Sequence, residues 1–200
     1  MILWDVDTQV DFMHPDGKLY VPEAEEAAPA MKRLVEAARE AGIVHVASAD
    51  DHELTDPEIS EQPDFSTTFP PHCLRGTRGA LKISETEQQA PVPITLEPLP
   101  DHYLKGREFL ILKKSFDPFT NPNTERLLEH LDPDEIVVFG VATDICDDAA
   151  VRGFLARGRK VRFVADAARG INDSDVIACT TAWMTQGVRF TTVDEVISSL

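Results

Sequence analysis

Apolar positions fall into short solid runs, separated by stretches in which they recur at helical spacing. Met1-Ile2-Leu3-Trp4 opens the chain and predicts a strand over Met1–Asp7, with Asp5 and Asp7 at its end. In Ala24–Ala41 the residues Ala27, Ala28, Met31, Leu34, Val35 and Ala38 share one face. That spacing predicts an amphipathic helix, ended by Gly42. Ile43–Ser48 reads as a second strand and Phe109–Leu112 as a third. A helix over Asn123–Leu131, a strand over Glu135–Phe139 and a helix over Asp144–Arg157 follow, the last closed by Gly158. Lys160–Val164 (strand), Asp173–Gln186 (helix, ended by Gly187), Val188–Thr191 (strand) and Val193–Leu200 (short helix) complete the pattern.

Strands alternating with helices predict an α/β protein, a three-layer Rossmann-like fold with a six-stranded parallel sheet. Right-handed crossovers put reactive side chains just beyond the C-terminal ends of such strands. Asp7 follows the first strand, Asp50 and His52 the second, Lys113 the third, and Cys146 lies just past the fourth. Between Ala49 and Arg107 there is little regular period apart from a turn near Cys73–Gly76. The prolines also concentrate between Pro57 and Pro122. The expectation is one domain over residues 1–200, with a proline-rich loop or lid at about 82–107.

Composition narrows the function classes. A chain of 200 residues with 42% hydrophobic content can bury a full core. No basic, apolar leader precedes the first strand and no apolar run reaches membrane-spanning length, so a soluble, cytoplasmic protein is expected. A formal charge of −16 repels nucleic acid and anionic membranes, which leaves a small molecule as the expected partner. Cys73, Cys146 and Cys179 are odd in number, which favours reduced thiols over a disulfide frame.

Cys146 is the thiol best placed for chemistry. It sits beyond a strand and in the first turn of the helix predicted next, where unpaired N–H groups favour thiolate and can receive an oxyanion. That position predicts a lowered thiol pKa. A cysteine nucleophile needs a base and a cation. Asp7, at the end of a buried strand, is the candidate base, although such a carboxylate taken alone reads more readily as a loop cap. Lys113 and its neighbour Lys114 point to opposite faces in a strand, so only one can enter the site, and the alternation leaves open which. Asp50 and His52 share a face in an extended segment, and with His72 they offer one carboxylate and two imidazoles. That donor set suits Zn²⁺, Fe²⁺ or Mn²⁺. Cys73 follows the Phe69-Pro70-Pro71-His72 turn without a strand-to-helix frame and reads as packing, as does Cys179 within its helix.

In order along the chain, these pieces resemble the isochorismatase-like cysteine hydrolase superfamily, and within it the nicotinamidase branch. The matching residues are Val6-Asp7-Thr8-Gln9-Val10-Asp11-Phe12, Asp50-Asp51-His52, Phe69 through Thr77, Lys113 with Phe116 and Phe119, and Gly140 through Cys146. The resemblance implies Cys146 as nucleophile, Asp7 as proton acceptor and later donor, and Lys113 as their charge partner. Lys113 is chosen because it stands three residues before Phe116. It implies an oxyanion hole from the N–H groups of Ala142 and Cys146, with a cis peptide between Val141 and Ala142. Asp50, His52 and His72 would hold a divalent metal, Zn²⁺ first and Fe²⁺ or Mn²⁺ as alternatives, with waters and a pyridine nitrogen completing the shell. Phe12 and Phe69 would contact the substrate. The implied reaction is hydrolysis of nicotinamide to nicotinate and ammonia through a thioester. The alternatives are a metal-independent relative acting on another amide or ureido compound, or a non-catalytic relative. Assembly as a homo-oligomer is a further implication. Two departures from the family pattern stand out: Val10 where asparagine is common, and Asp117-Pro118 where Ser-Ala usually follows the aromatic.

Overall fold

Ile2–Val6 (β1) is buried along its whole length, as a strand covered on both faces must be. The computed structural model describes all residues from Met1 to Leu200. Six further strands join β1: Val44–Asp50 (β2), Val92–Ile94 (β3), Glu108–Lys113 (β4), Ile136–Val141 (β5), Val161–Arg169 (β6) and Arg189–Thr191 (β7). All pairings are parallel, in the order β3-β4-β2-β1-β5-β6-β7. The helices are Val10–Met13 (α1), Ala24–Glu40 (α2), Pro122–Leu131 (α3), Asp148–Ala156 (α4), Asp173–Thr185 (α5) and Val193–Ile197 (α6).

Alternation along β1 divides the core in two. Ile2, Trp4 and Val6 pack with Leu127, Leu128, Phe154 and Trp183 from α3, α4 and α5. The Trp4 and Phe154 rings meet edge to face at 4.6 Å. On the other face, Leu3 joins Val137 and Phe139 of β5 against Met31, Leu34 and Val35 of α2 and Val193 and Val196 of α6. These α2 residues are the stripe predicted from spacing.

The sheet has seven strands, not the six expected. The additional one is β3, which pairs Val92 with Phe109 and Ile94 with Ile111 at the sheet edge. Pro93 lies within it, and proline removes a ladder donor, so only an edge can accept such a strand. The 82–107 segment, read as loop or lid, is therefore partly sheet. Its Leu99 and Leu104 are buried in the core, and the Asn123 amide donates to the carbonyls of Thr95 and Glu97.

Register brings the chemistry to one edge. Asp50 at the end of β2 is the ladder partner of Lys113 at the end of β4, and Val6 of β1 pairs with Gly140 of β5. The chain leaves β5 through a cis peptide at Val141–Ala142 and enters a π-helical turn over Thr143–Asp147. The regular helix predicted from Asp144 thus begins only at Asp148. No helix is long and apolar enough to cross a membrane.

Candidate active site

Asp7 is the residue at which β1 stops. Its φ of 48° turns the chain out of the sheet, a conformation that aspartate tolerates better than most side chains. The carboxyl is fully buried, and Ser48 Oγ donates to its Oδ1 at 2.7 Å. Burial pushes its pKa up and Asp50 adds to the effect, against the pull of Lys113. The result is a carboxylate of increased basicity.

Lys113 continues the buried phase of Phe109 and Ile111 on β4, and its side chain is wholly enclosed. Its Nζ lies 2.8 Å from Asp7 Oδ2, 2.5 Å from Asp50 Oδ1 and 3.9 Å from Cys146 Sγ. Against its burial, the Asp50 and Asp7 carboxylates hold the ammonium well above the ordinary lysine range. Lys114, on the alternate phase, leaves this centre and meets Asp56 instead.

Cys146 is only 7% exposed. Its thiol pKa is raised well above the ordinary value by burial, with Lys113 pulling the other way and Asp7 and Asp50 adding to the rise. This reverses the lowered pKa expected from a helix start. The thiol sits in the π turn ahead of α4, and loss of solvent outweighs what the turn provides. The turn is pinned by the Ala142 carbonyl, which accepts from the N–H groups of both Ile145 and Asp147. Phe12, Leu19, Val21, Val141, Ala142 and Ile171 form a small apolar cavity against Cys146. The larger cleft, about 830 Å³, runs along Arg169–Ser174 and holds neither Cys146, Asp7 nor Lys113.

Beside this centre, Asp50, His52, Glu58 and His72 bring ligand atoms within 4.8 Å of one another, all four residues being buried. Asp50 Oδ2 is 3.8 Å from His52 Nε2 and 3.6 Å from His72 Nε2, and Glu58 Oε1 is 3.9 Å from His52 Nε2. His72 donates from Nδ1 to the Pro70 carbonyl at 2.7 Å, and His52 from Nδ1 to Asp56 Oδ2 at 3.2 Å. Both Nε2 lone pairs are thereby turned into the cluster. His52 Nε2 is buried and has no hydrogen-bond partner. Burial raises the Glu58 pKa and the Asp50 charge raises it further. Two carboxylates facing two imidazole lone pairs in a buried site suit a divalent cation, so the residues fit the metal that the resemblance implies.

Glu58 had no place in the sequence reading. It stands six residues after His52 in irregular chain, and only the pairing of Ile59 with Phe69 folds it back toward His72. Phe12 and Phe69 both reach the cluster, with ring centroids 5.5 and 6.3 Å from that of His72, and Phe69 also meets Phe116 at 6.0 Å. Cys73 lies outside the centre, its N–H donating to Asp11 Oδ2 at 2.7 Å and its thiol pKa raised by burial. Cys179 is packed in α5, its pKa pushed up to about 11 by burial. Asp117 accepts from the Phe119 N–H at 2.8 Å and so caps a short turn. Val10, the other departure, is buried in the α2-side core.

The isochorismatase domain family matches residues 2–195, and the chain belongs to that family. It is an enzyme, a hydrolase acting on amide C–N bonds. Among curated proteins it is 29% identical over 186 residues to the nicotinamidase of Escherichia coli, covering 84% of this chain and 82% of that one. It is 28% identical over 177 residues to the nicotinamidase/pyrazinamidase of Mycobacterium tuberculosis, with 86% and 88% covered. Among solved structures, the pyrazinamidase of Pyrococcus horikoshii in complex with zinc superposes with a TM-score of 0.76 at 24% identity, over 96% of this chain and 98% of that one.

Proposed function

We propose that this enzyme hydrolyses nicotinamide to nicotinate and ammonia through a thioester on Cys146. One observation carries the reading: the Lys113 ammonium is shared by Asp7, Asp50 and Cys146, so a buried acid–base–thiol group adjoins a metal-type cluster. The nicotinamidases of Escherichia coli and Mycobacterium tuberculosis support the substrate, and the zinc-bound neighbour supports the ion.

The buried thiol is protonated at rest. As Sγ attacks the carboxamide carbon, Asp7 takes its proton, and Lys113 offsets the charge passing between them. The carbonyl oxygen becomes an oxyanion held by the N–H groups of Ala142 and Cys146. Asp7 returns the proton to the amide nitrogen, which departs as ammonia and leaves a thioester. Water, giving a proton to Asp7, attacks that carbonyl. The tetrahedral intermediate collapses with cleavage of the C–Sγ bond, which releases the acid, and Asp7 returns its proton to the Sγ thiolate. Asp50, His52 and His72, joined by Glu58, would hold Zn²⁺, with Fe²⁺ or Mn²⁺ as alternatives. Such an ion supplies an electrophilic anchor for a ring nitrogen. Phe12 and Phe69 would flank the ring, and the apolar wall around Cys146 excludes bulk water.

Ammonia release from nicotinamide tests the reading. Wild type is expected to turn over, and Cys146→Ala to lose at least about 10⁴-fold in kcat. Turnover of other amides or ureido compounds without nicotinamide would overturn the substrate. Activity surviving in Cys146→Ala but lost in Cys73→Ala would overturn the nucleophile.

A further inference from the structure

Lys113, the last residue of β4, and Lys114, which follows it, both act on the metal-type cluster, by different routes. Lys113 reaches Asp50 directly. Lys114, on the opposite phase of the strand, places its Nζ 2.9 Å from Asp56 Oδ2. That same oxygen takes the Nδ1–H of His52 at 3.2 Å and the N–H of Glu53 at 2.9 Å. Asp56 is largely enclosed, with its side chain 15% exposed. All three donors, from Lys114, His52 and Glu53, converge on Oδ2 and hold that oxygen in place. The imidazole that donates to this oxygen has its Nε2 facing Asp50 and Glu58.

His72 provides the contrast. Its Nδ1 donates to the Pro70 carbonyl, a backbone group that no side-chain substitution removes. The support of His52 is a side chain on an irregular loop, tied to the sheet by Lys114. A carboxylate behind a ligand imidazole fixes its tautomer and increases its basicity as a ligand.

We propose that Asp56, anchored by Lys114, is a positioning residue for His52 and sets the affinity of this site for a divalent cation. The inference rests on the metal reading above and goes beyond it, because neither residue is a ligand. Asp56 also accepts from Glu53 N–H and shapes the loop locally, so the test must separate positioning from folding.

Zn²⁺ binding to the full chain, measured by competition with a chromophoric chelator, does so alongside the melting temperature of the zinc-stripped proteins. Asp56→Ala is expected to bind Zn²⁺ about 10–100-fold more weakly than wild type. Asp56→Asn, which keeps the size and one acceptor, should lose less, and Lys114→Met less again. The stripped variants should melt with stripped wild type. Co²⁺ in Asp56→Asn should show altered visible bands, which a purely structural change remote from His52 would not produce. Wild-type affinity in both Asp56 variants would overturn the inference while leaving the metal reading intact. So would melting temperatures that fall in the stripped proteins with affinity unchanged. Failure of wild type itself to bind Zn²⁺ is a different outcome, which removes the metal reading and this inference together.

Discussion

Asp147 follows Cys146, the proposed nucleophile, and is fully buried, with neither carboxylate oxygen meeting a hydrogen-bond partner. Burial pushes its pKa well above the carboxylate range, the charges of Asp7, Asp5 and Asp144 add to the rise, and Thr143 opposes it. The folded protein therefore keeps this proton at pH values where the unfolded chain, near its ordinary value of 3.8, has lost it. Where the native state binds more protons, stability falls as pH rises. This group costs nothing below the unfolded pKa, and its cost grows upward from there toward the raised native pKa. Asp147→Asn cannot ionise. Thermal melts at pH 5, 7 and 9 should show the variant gaining on wild type as pH rises, and parallel curves would contradict this. Legibility at this scale was uneven. Asp7, Cys146, Asp50, His52 and His72 could be picked out because each stands beside a strand end or in a compact motif. Lys113 could be separated from Lys114 only through the family resemblance, because two adjacent lysines at a strand end carry the same hydropathy signal. Burial against Asp7 and Asp50 distinguishes them in the fold. The raised thiol pKa of Cys146 was out of reach, because desolvation depends on what covers a residue.

Gly140 carries the junction between β1 and β5. Its φ is 137°, and a Cβ there would stand 2.1 Å from the Val6 carbonyl oxygen. The two strands approach so closely because the position has no side chain. Gly140→Ala must both strain the backbone and push β1 away where Asp7 and the Val141–Ala142 segment emerge. Overpacking and an unfavourable φ each cost about 1–3 kcal/mol, so a loss of roughly 2–6 kcal/mol is expected by denaturant unfolding. A midpoint matching wild type would refute the close approach. Helix α2 and strands β1, β2, β4 and β5 could be read from period and composition, since their apolar residues face a continuous core. β3 could not, because Pro91 and Pro93 read as breakers and an edge strand lacks the alternation of a buried one. The π turn over Thr143–Asp147 escaped for another reason: its residues fit an α-helix equally well, and only the path out of β5 selects the wider turn.

Across the whole molecule, the candidate cation site ties the end of β2 to the irregular chain between Glu53 and His72. An ion there would cross-link the least regular part of the protein to its sheet. Binding to the native state alone stabilises by mass action, about 2.7 kcal/mol at free ligand 100-fold above Kd. For a chain of this length that corresponds to roughly 5–10 °C in melting temperature. Zinc-stripped protein should therefore melt lower by about that amount, and recover on titration with Zn²⁺. An unchanged melting temperature at saturating Zn²⁺ would speak against the site. Stripping should also abolish turnover of nicotinamide, measured as ammonia release.

By itself the sequence determined the alternating α/β order, the two-sided burial of the central strands and the placement of candidate side chains at strand ends. These follow from local periodicity and from covalent neighbours, which a linear chain carries in full. Only the tertiary structure decided that Glu58 joins Asp50, His52 and His72, and that burial raises the Cys146 thiol pKa. Those outcomes depend on burial and on contacts between residues far apart in the chain, quantities that exist only once β1, β2, β4 and β5 lie side by side.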